Sequence, residues 1–358
     1  MSPVPARRVL VVEPNATGHR LYYVRLIVEE ILARGQVALV ATAPKADSSP
    51  EWNLHLSHLV SQTEYLASSD FTPMGIAILA NRLDVDHVVV PDGDPVAIEI
   101  GRRRAWPAKA SITVLVMREH AQPSRIPGVA RLKGILKNGL LRSANTVQGV
   151  TVCILKSPLW AGYSSLPVAL DPVTLAGDAA ERLDASKAWN LDSTRYWFGI
   201  VGAITARKNL PLVAAAIARL QGENVGLVLA GKVSDDVRAT IPEIQEMLAQ
   251  SGTSFIVENR LLSELEIDSL IAALDCVVLA HSNEGSSGIM GKAAMSGTRI
   301  AAAGARSLKS DCRAVPLMSA WVPLTEADVS YMLARSSTLG RPIPIDGVSS
   351  RDFASALI

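Results

Sequence analysis

Residues 276–304 read CVVLAHSNEGSSGIMGKAAMSGTRIAAAG. An apolar, β-rich run, CVVLAH, leads into a turn of small residues. Apolar positions then recur at helical spacing over 287–296, and a second short run, RIAAAG, closes the stretch. Strand, helix and strand in this succession make a βαβ unit, whose two strands run parallel. One charged residue, Glu284, stands in the turn beside Gly285, Ser286, Ser287 and Gly288. A carboxylate there is either solvated at the start of the helix or used.

The same alternation extends upstream. WFGIVG, VGLVLAG and SFIVEN are strand candidates, separated by helical patterns at 209–221, 236–250 and 263–273. In the first half RVLVVE (8–13), QVALVATA, DHVVVPDGD (86–94) and SITVLVM (111–117) are strands, and GHRLYYVRLIVEEILARG (18–35) is a helix closed by Gly35. A polar segment, LDASKAWNLDSTRY (183–196), interrupts the rhythm. The pattern predicts an α/β protein of two doubly wound, Rossmann-like domains facing a central cleft. We place them at residues 1–190 and 191–340, with the segment from about 340 to 358 returning to the first. In such sheets ligands bind at the carboxyl ends of strands, and a cleft between domains is the default site.

Composition narrows the function classes. With 49% hydrophobic and 19% charged residues the chain can bury large cores, and its net charge of +1 does not suggest nucleic acid as a partner. Cys153, Cys276 and Cys312 lie far apart in or near apolar stretches, without metal-ligand spacing; they read as small core residues in a reducing cytoplasm. MSPVPARR lacks the apolar centre of a signal peptide, and no apolar run is long enough to span a bilayer.

Strand ends carry the chemistry. In VVEPNATGHR, Gly18 precedes a helix, so it is either turn punctuation or a place where a ligand approaches the backbone. GxGxxG is absent, which argues against an oxidoreductase with a dinucleotide cofactor. In VGAITARKNLPLV (201–213), Arg207 and Lys208 precede a helix whose dipole opposes them. They are a solvated pair, or they hold an anion such as a diphosphate. At 284–288 the exposed N–H groups of a helix start also suit an anion. Glu284 beside it would bind the group attached to that anion, such as sugar hydroxyls.

These pieces, GAITARKN and EGSSGIMGKAAMSGTR in that order, resemble the motifs of retaining glycosyltransferases of the GT-B fold, family 4. The resemblance covers roughly 196–304 well and the first half only in pattern. It implies that Lys208, with Arg207, binds the donor diphosphate and that Glu284 contacts the donor sugar. Ser286, Ser287 and Gly288 would form the diphosphate loop, with Gly18 facing the leaving group and His120 reaching the sugar. The nucleotide base would lie near Glu258 to Leu262, with Arg260 there and Gly231 after VGLVLA as candidate contacts. The chain departs from the family at three places: Lys292 replaces the second motif glutamate, which holds ribose; Ala203 replaces an arginine; and Asn209 replaces a glycine. A lysine only donates hydrogen bonds where a carboxylate accepts them, so Lys292 would offer a cation to the donor's nucleotide half, or the site is degenerate.

The implied reaction moves a sugar from a nucleoside diphosphate sugar, as co-substrate, to an acceptor hydroxyl with retention. It needs no metal and no cofactor. PDGD (91–94) is no metal motif; it caps a helix or meets the acceptor. The alternative is a non-catalytic relative that binds a nucleotide or glycan as partner or regulator. The segment 125–142, RIPGVARLKGILKNGLLR, mixes cations with apolar residues. It is an ordinary surface helix or a peripheral contact with anionic lipid at the inner face of the membrane.

Overall fold

The computed structural model describes residues 6–17, 20–117, 129–220, 224–285 and 287–358. The chain divides into two compact units. One holds Met1–Lys156, Gly162–Asp171 and Ser349–Ile358; the other holds Ser157–Ala161 and Pro172–Val348.

The first unit is built on seven strands: β1 (Arg8–Glu13), β2 (Val37–Thr42), β3 (Glu64–Ala67), β4 (His87–Val90), β5 (Ser111–Val116), β6 (Val150–Lys156) and β7 (Val168–Leu170). They lie in the order β3-β2-β1-β4-β5-β6-β7, all parallel, with Leu10 level with both Leu39 and Val88. Leu10 and Val12 face one buried cluster, Val9 and Val11 the other. Helices covering both faces explain why the strand is apolar at every position but its ends. The helix Arg20–Ala33 follows β1 and ends before Gly35, whose φ of 68° only glycine adopts at little cost. The chain's last residues return to this unit. Phe353 is 1% exposed against Tyr23, and His87 Nε2 lies 3.0 Å from the Leu357 carbonyl.

The second unit has six strands: β8 (Tyr196–Val201), β9 (Val225–Ala230), β10 (Ser254–Glu258), β11 (Cys276–His281), β12 (Arg299–Gly304) and β13 (Ser319–Val322). Their order is β10-β9-β8-β11-β12-β13, again all parallel. Phe198 and Ile200 point into one buried cluster, Trp197 and Val201 into the other. After a first passage at Ser157–Ala161 the chain stays in this unit from Pro172 to Val348, whereas the sequence pattern puts the boundary near 190. The polar segment that suggested 190 includes the end of a helix, Ala179–Lys187, which packs on the helix Glu264–Ala273 of the same unit.

Four strands, β3, β6, β7 and β13, are additional to the nine that the sequence reading assigns. β3, β7 and β13 are short and half-exposed, so their apolar signal is weak. β6 carries a clear run, VTVCILK, which that assignment leaves out. The helix expected over 236–250 is two, Asp235–Arg238 and Ile241–Gln250, because Pro242 opens the second.

In each sheet the winding reverses once, between β1 and β4 and between β8 and β11. The loops leaving those neighbours diverge, and a crevice forms at their carboxyl ends. Among the described residues no helix is long and apolar enough to cross a membrane.

Candidate active site

The second unit's reversal point carries a basic cluster. β8 ends at Val201, and the turn beyond it closes through a short 3₁₀ helix, Ala206–Lys208. Asn209 follows with φ 50°, a left-handed conformation that asparagine tolerates better than most residues. This explains how asparagine stands where the resembled motif has glycine. Its Nδ2 donates to the carbonyls of Arg207 (2.9 Å) and Ala280 (2.8 Å), and Ser282 N donates to Arg207 O at 3.0 Å. The turn after β8 is thus tied to the turn after β11.

Lys208 is only 6% exposed, and its ammonium donates to the Val201 carbonyl. Burial, and then the charge of Arg207, push its pKa down to about 7. Among the described residues no carboxylate pairs with it, although buried ammonium groups normally have such a partner. His281, the last residue of β11, shares this field. Burial, and then Lys208 and Arg207, push its pKa down to about 4, and its Nε2 is buried without a hydrogen-bond partner. His281 escaped the sequence reading because a single histidine at a strand end carries no motif.

Glu284 is engaged on its other side. Its Oε1 accepts from Arg306 N at 3.0 Å and its Oε2 from Ser307 N at 2.8 Å, the first amides of the helix Arg306–Ala314. Gly285 N donates to Ser307 Oγ at 3.2 Å. Burial raises the Glu284 pKa, but the N–H groups of Ser307 and Arg306, the Ser307 hydroxyl and the Arg306 charge outweigh it and hold the carboxyl below its usual range. Glu284 is therefore an ionised cap for the following helix. Each oxygen has a second lone pair beyond the one it gives to an amide.

Ser287 is the N-cap of the helix Gly288–Met295, and its Oγ accepts from Met290 N at 3.4 Å. A side chain at Gly288 would meet nothing within 4 Å. Lys208, Arg207, Glu284, Ser287 and Gly288 all lie just beyond the carboxyl ends of the adjoining β8 and β11. Gly18, His120 and Ser286 lie outside the described residues.

The nucleotide-side candidates are placed differently. The Lys292 ammonium lies 2.6 Å from Asp268 and 2.9 Å from Glu264 and donates to the Thr174 carbonyl at 3.1 Å. Asp268, fully buried, also accepts from Ala176 N at 2.7 Å. Burial opposes the Lys292 charge, but Glu264 and Asp268 prevail and hold its pKa above the ordinary lysine value. An ammonium has three donors, and all three are met within the chain. The sequence leaves two roles open for this cation, a contact to the donor's nucleotide half or a degenerate site; in the structure it ties the 174–176 segment to the helix Glu264–Ala273. Arg260 is exposed and paired with Glu258 (2.8 Å) and Glu266 (2.7 Å). Gly231 has φ 131°, and a Cβ there would lie 2.1 Å from Gly202 O, so only glycine lets the two turns meet.

The first unit's reversal point holds a second buried titratable group, also absent from the sequence reading. Glu13 is fully buried; its Oε1 accepts from Asn15 N at 2.9 Å and its Oε2 has no partner. Burial, against the Asn15 N–H and with the nearby Asp92 charge, pushes its pKa up to about 8, while Arg20 pulls it down. Arg20 pairs with Asp92 at 2.6 Å. Asp94, the other PDGD carboxylate, lies in the first turn of the helix Asp94–Arg103, accepts from Met117 N at 2.8 Å and pairs with Lys137.

Two parallel α/β units of this winding are found in the GT-B fold of glycosyltransferases, and solved structures of that fold match nearly the whole chain. A glycosyltransferase from Rickettsia africae is 10% identical at a TM-score of 0.64, with 98% of this chain and 92% of that one covered. HepE from Anabaena, solved with UDP and glucose, is 13% identical at 0.63, with 98% and 94% covered. Sucrose-phosphate synthase from Thermosynechococcus elongatus is 14% identical at 0.65, with 98% and 95% covered. At such identities the likeness establishes the fold. No family model matches the chain, and no curated protein matches it in sequence.

Proposed function

We propose that this protein transfers a sugar from a nucleoside diphosphate sugar to an acceptor hydroxyl, with retention of configuration and without a metal ion. The observation that carries the reading is Lys208: a buried ammonium without a carboxylate partner among the described residues, at the reversal point of a parallel sheet. Such a site is electrostatically incomplete until an anion arrives. The HepE structure, which has this fold and holds UDP and glucose, supports a diphosphate as that anion.

In this reading Lys208, Arg207 and the first amides of the helix Gly288–Met295 stabilise charge as it grows on the departing diphosphate. The bond from the anomeric carbon to the diphosphate oxygen breaks through an oxocarbenium-like state. The acceptor oxygen attacks on the same face, and its proton passes to the departing phosphate oxygen. Glu284, fixed by two amides of the next helix, turns its remaining lone pairs to the sugar hydroxyls. The test is calorimetry with UDP-glucose and GDP-mannose followed by turnover. Binding with slow donor hydrolysis supports the proposal, and no binding to either, or to a wider panel of nucleotide sugars, rejects it.

One observation favours a second reading, a non-catalytic relative that binds a nucleotide or glycan as a partner or regulator. Lys292 stands where the resembled family uses a carboxylate for ribose, and it is consumed by internal ion pairs. Donor binding without hydrolysis or transfer, across acceptors, selects that reading.

A further inference from the structure

The helix Val129–Asn145 packs against the helix Asp94–Arg103 and carries apolar residues on two sides, whereas an ordinary surface helix carries them on one. Leu141 and Ala144 are fully buried, as expected. On the opposite side Leu132 is 59%, Ile135 61% and Leu136 58% exposed. Their i, i+3, i+4 spacing makes one continuous stripe. Lys133 and Arg142 are exposed on the same helix, which contains no acidic residue. Lys137, by contrast, is used internally by Asp94.

The neighbouring helix adds to the positive field. A Cβ on Gly101 would lie 2.0 Å from the Leu140 carbonyl, and Ser143 Oγ donates to Gly101 O at 3.0 Å, so the two backbones touch at this end. Exposed Arg102 and Arg104 follow directly. Arg103 is paired with Glu99 at 2.7 Å.

We propose that this face of the first unit docks on an anionic lipid surface, with Leu132, Ile135 and Leu136 entering the headgroup–acyl boundary and Lys133, Arg142, Arg102 and Arg104 meeting lipid phosphates. Apolar side chains exposed in a row, on a helix that carries exposed cations and no carboxylate, match the chemistry of such an interface. The inference does not rest on the transferase reading.

The test is sedimentation of the whole protein with vesicles of equal parts phosphatidylglycerol and phosphatidylcholine, against vesicles of phosphatidylcholine alone. Wild type pellets with the former at low salt, less at high salt, and not with the latter. Combining Leu132→Ser, Ile135→Ser and Leu136→Ser lowers the partition coefficient at least tenfold. These positions are exposed, so thermal unfolding stays unchanged. Combining Arg102→Gln, Arg104→Gln and Arg142→Gln lowers binding severalfold and flattens its salt dependence. The proposal is overturned if wild type fails to pellet at low salt or if the serine variant pellets like wild type. It is also overturned if the serine substitutions only dissolve a dimer seen by size exclusion, which would make the face a contact between copies.

Discussion

Lys208 supplies the sharpest test, because burial has tuned its charge to the range where proteins are assayed. With a pKa of about 7, its ammonium is largely protonated at pH 6 and largely neutral at pH 8. A diphosphate that needs the cation binds in proportion to the charged fraction. Between pH 6 and 8 that fraction falls about tenfold, or roughly 1.4 kcal/mol of apparent affinity. A diphosphate diester such as UDP-glucose keeps a constant charge over this range, so titration calorimetry with it isolates the protein's proton. Buffers of different ionisation enthalpy should show a proton taken up on binding near pH 8. Lys208→Gln should bind about 10- to 150-fold more weakly at pH 6, from the 1.5–3 kcal/mol of a charge-assisted hydrogen bond, and lose the pH dependence. In the free protein the sign is opposite. The folded state holds fewer protons than the unfolded chain between about 7 and 10.5, so Lys208 contributes stability that rises with pH across that window. Equal wild-type affinity at pH 6 and 8, or the same pH dependence in Lys208→Gln, would refute the assignment.

Other substitutions test the surrounding chemistry. Glu284→Gln places an amide against two N–H groups and should cost about 1 kcal/mol of stability; it should keep donor affinity and lose most turnover, and full activity removes its sugar role. Lys292→Met leaves the fully buried Asp268 without its cation and should destabilise by about 3–5 kcal/mol; an unchanged thermal midpoint contradicts the ion-pair account. Glu13 works through pH: its folded pKa is raised from 4.5 to about 8, so its stability contribution is full below 4.5 and is lost as pH rises through that window. At about 1.4 kcal/mol per pH unit the loss amounts to roughly 5 kcal/mol by pH 8. The midpoint of Glu13→Gln should therefore hold level where that of wild type falls, and parallel curves would argue against a buried protonated carboxyl.

Local sequence by itself determined the alternation of strands and helices, because a strand covered on both faces must be apolar throughout and a surface helix must be periodic. RVLVVE, WFGIVG and CVVLAH announce β1, β8 and β11 for that reason, and Gly35 announces where the first helix stops. The basic pair Arg207–Lys208 and the turn at Glu284 were also legible, since charge next to a strand end is conspicuous against its apolar neighbours. The short strands β3, β7 and β13 were not, because an edge strand needs little apolar surface. Only the tertiary structure decided what each charge is for. Burial and partners are set by residues distant in the chain: the amides of Arg306 and Ser307 claim Glu284, Asp268 and Glu264 claim Lys292, and nothing acidic among the described residues claims Lys208. A side chain's type states what it is able to bind. Whether that capacity is already spent depends on which strand ends and helix starts the fold brings within three ångströms, and no local pattern encodes that distance.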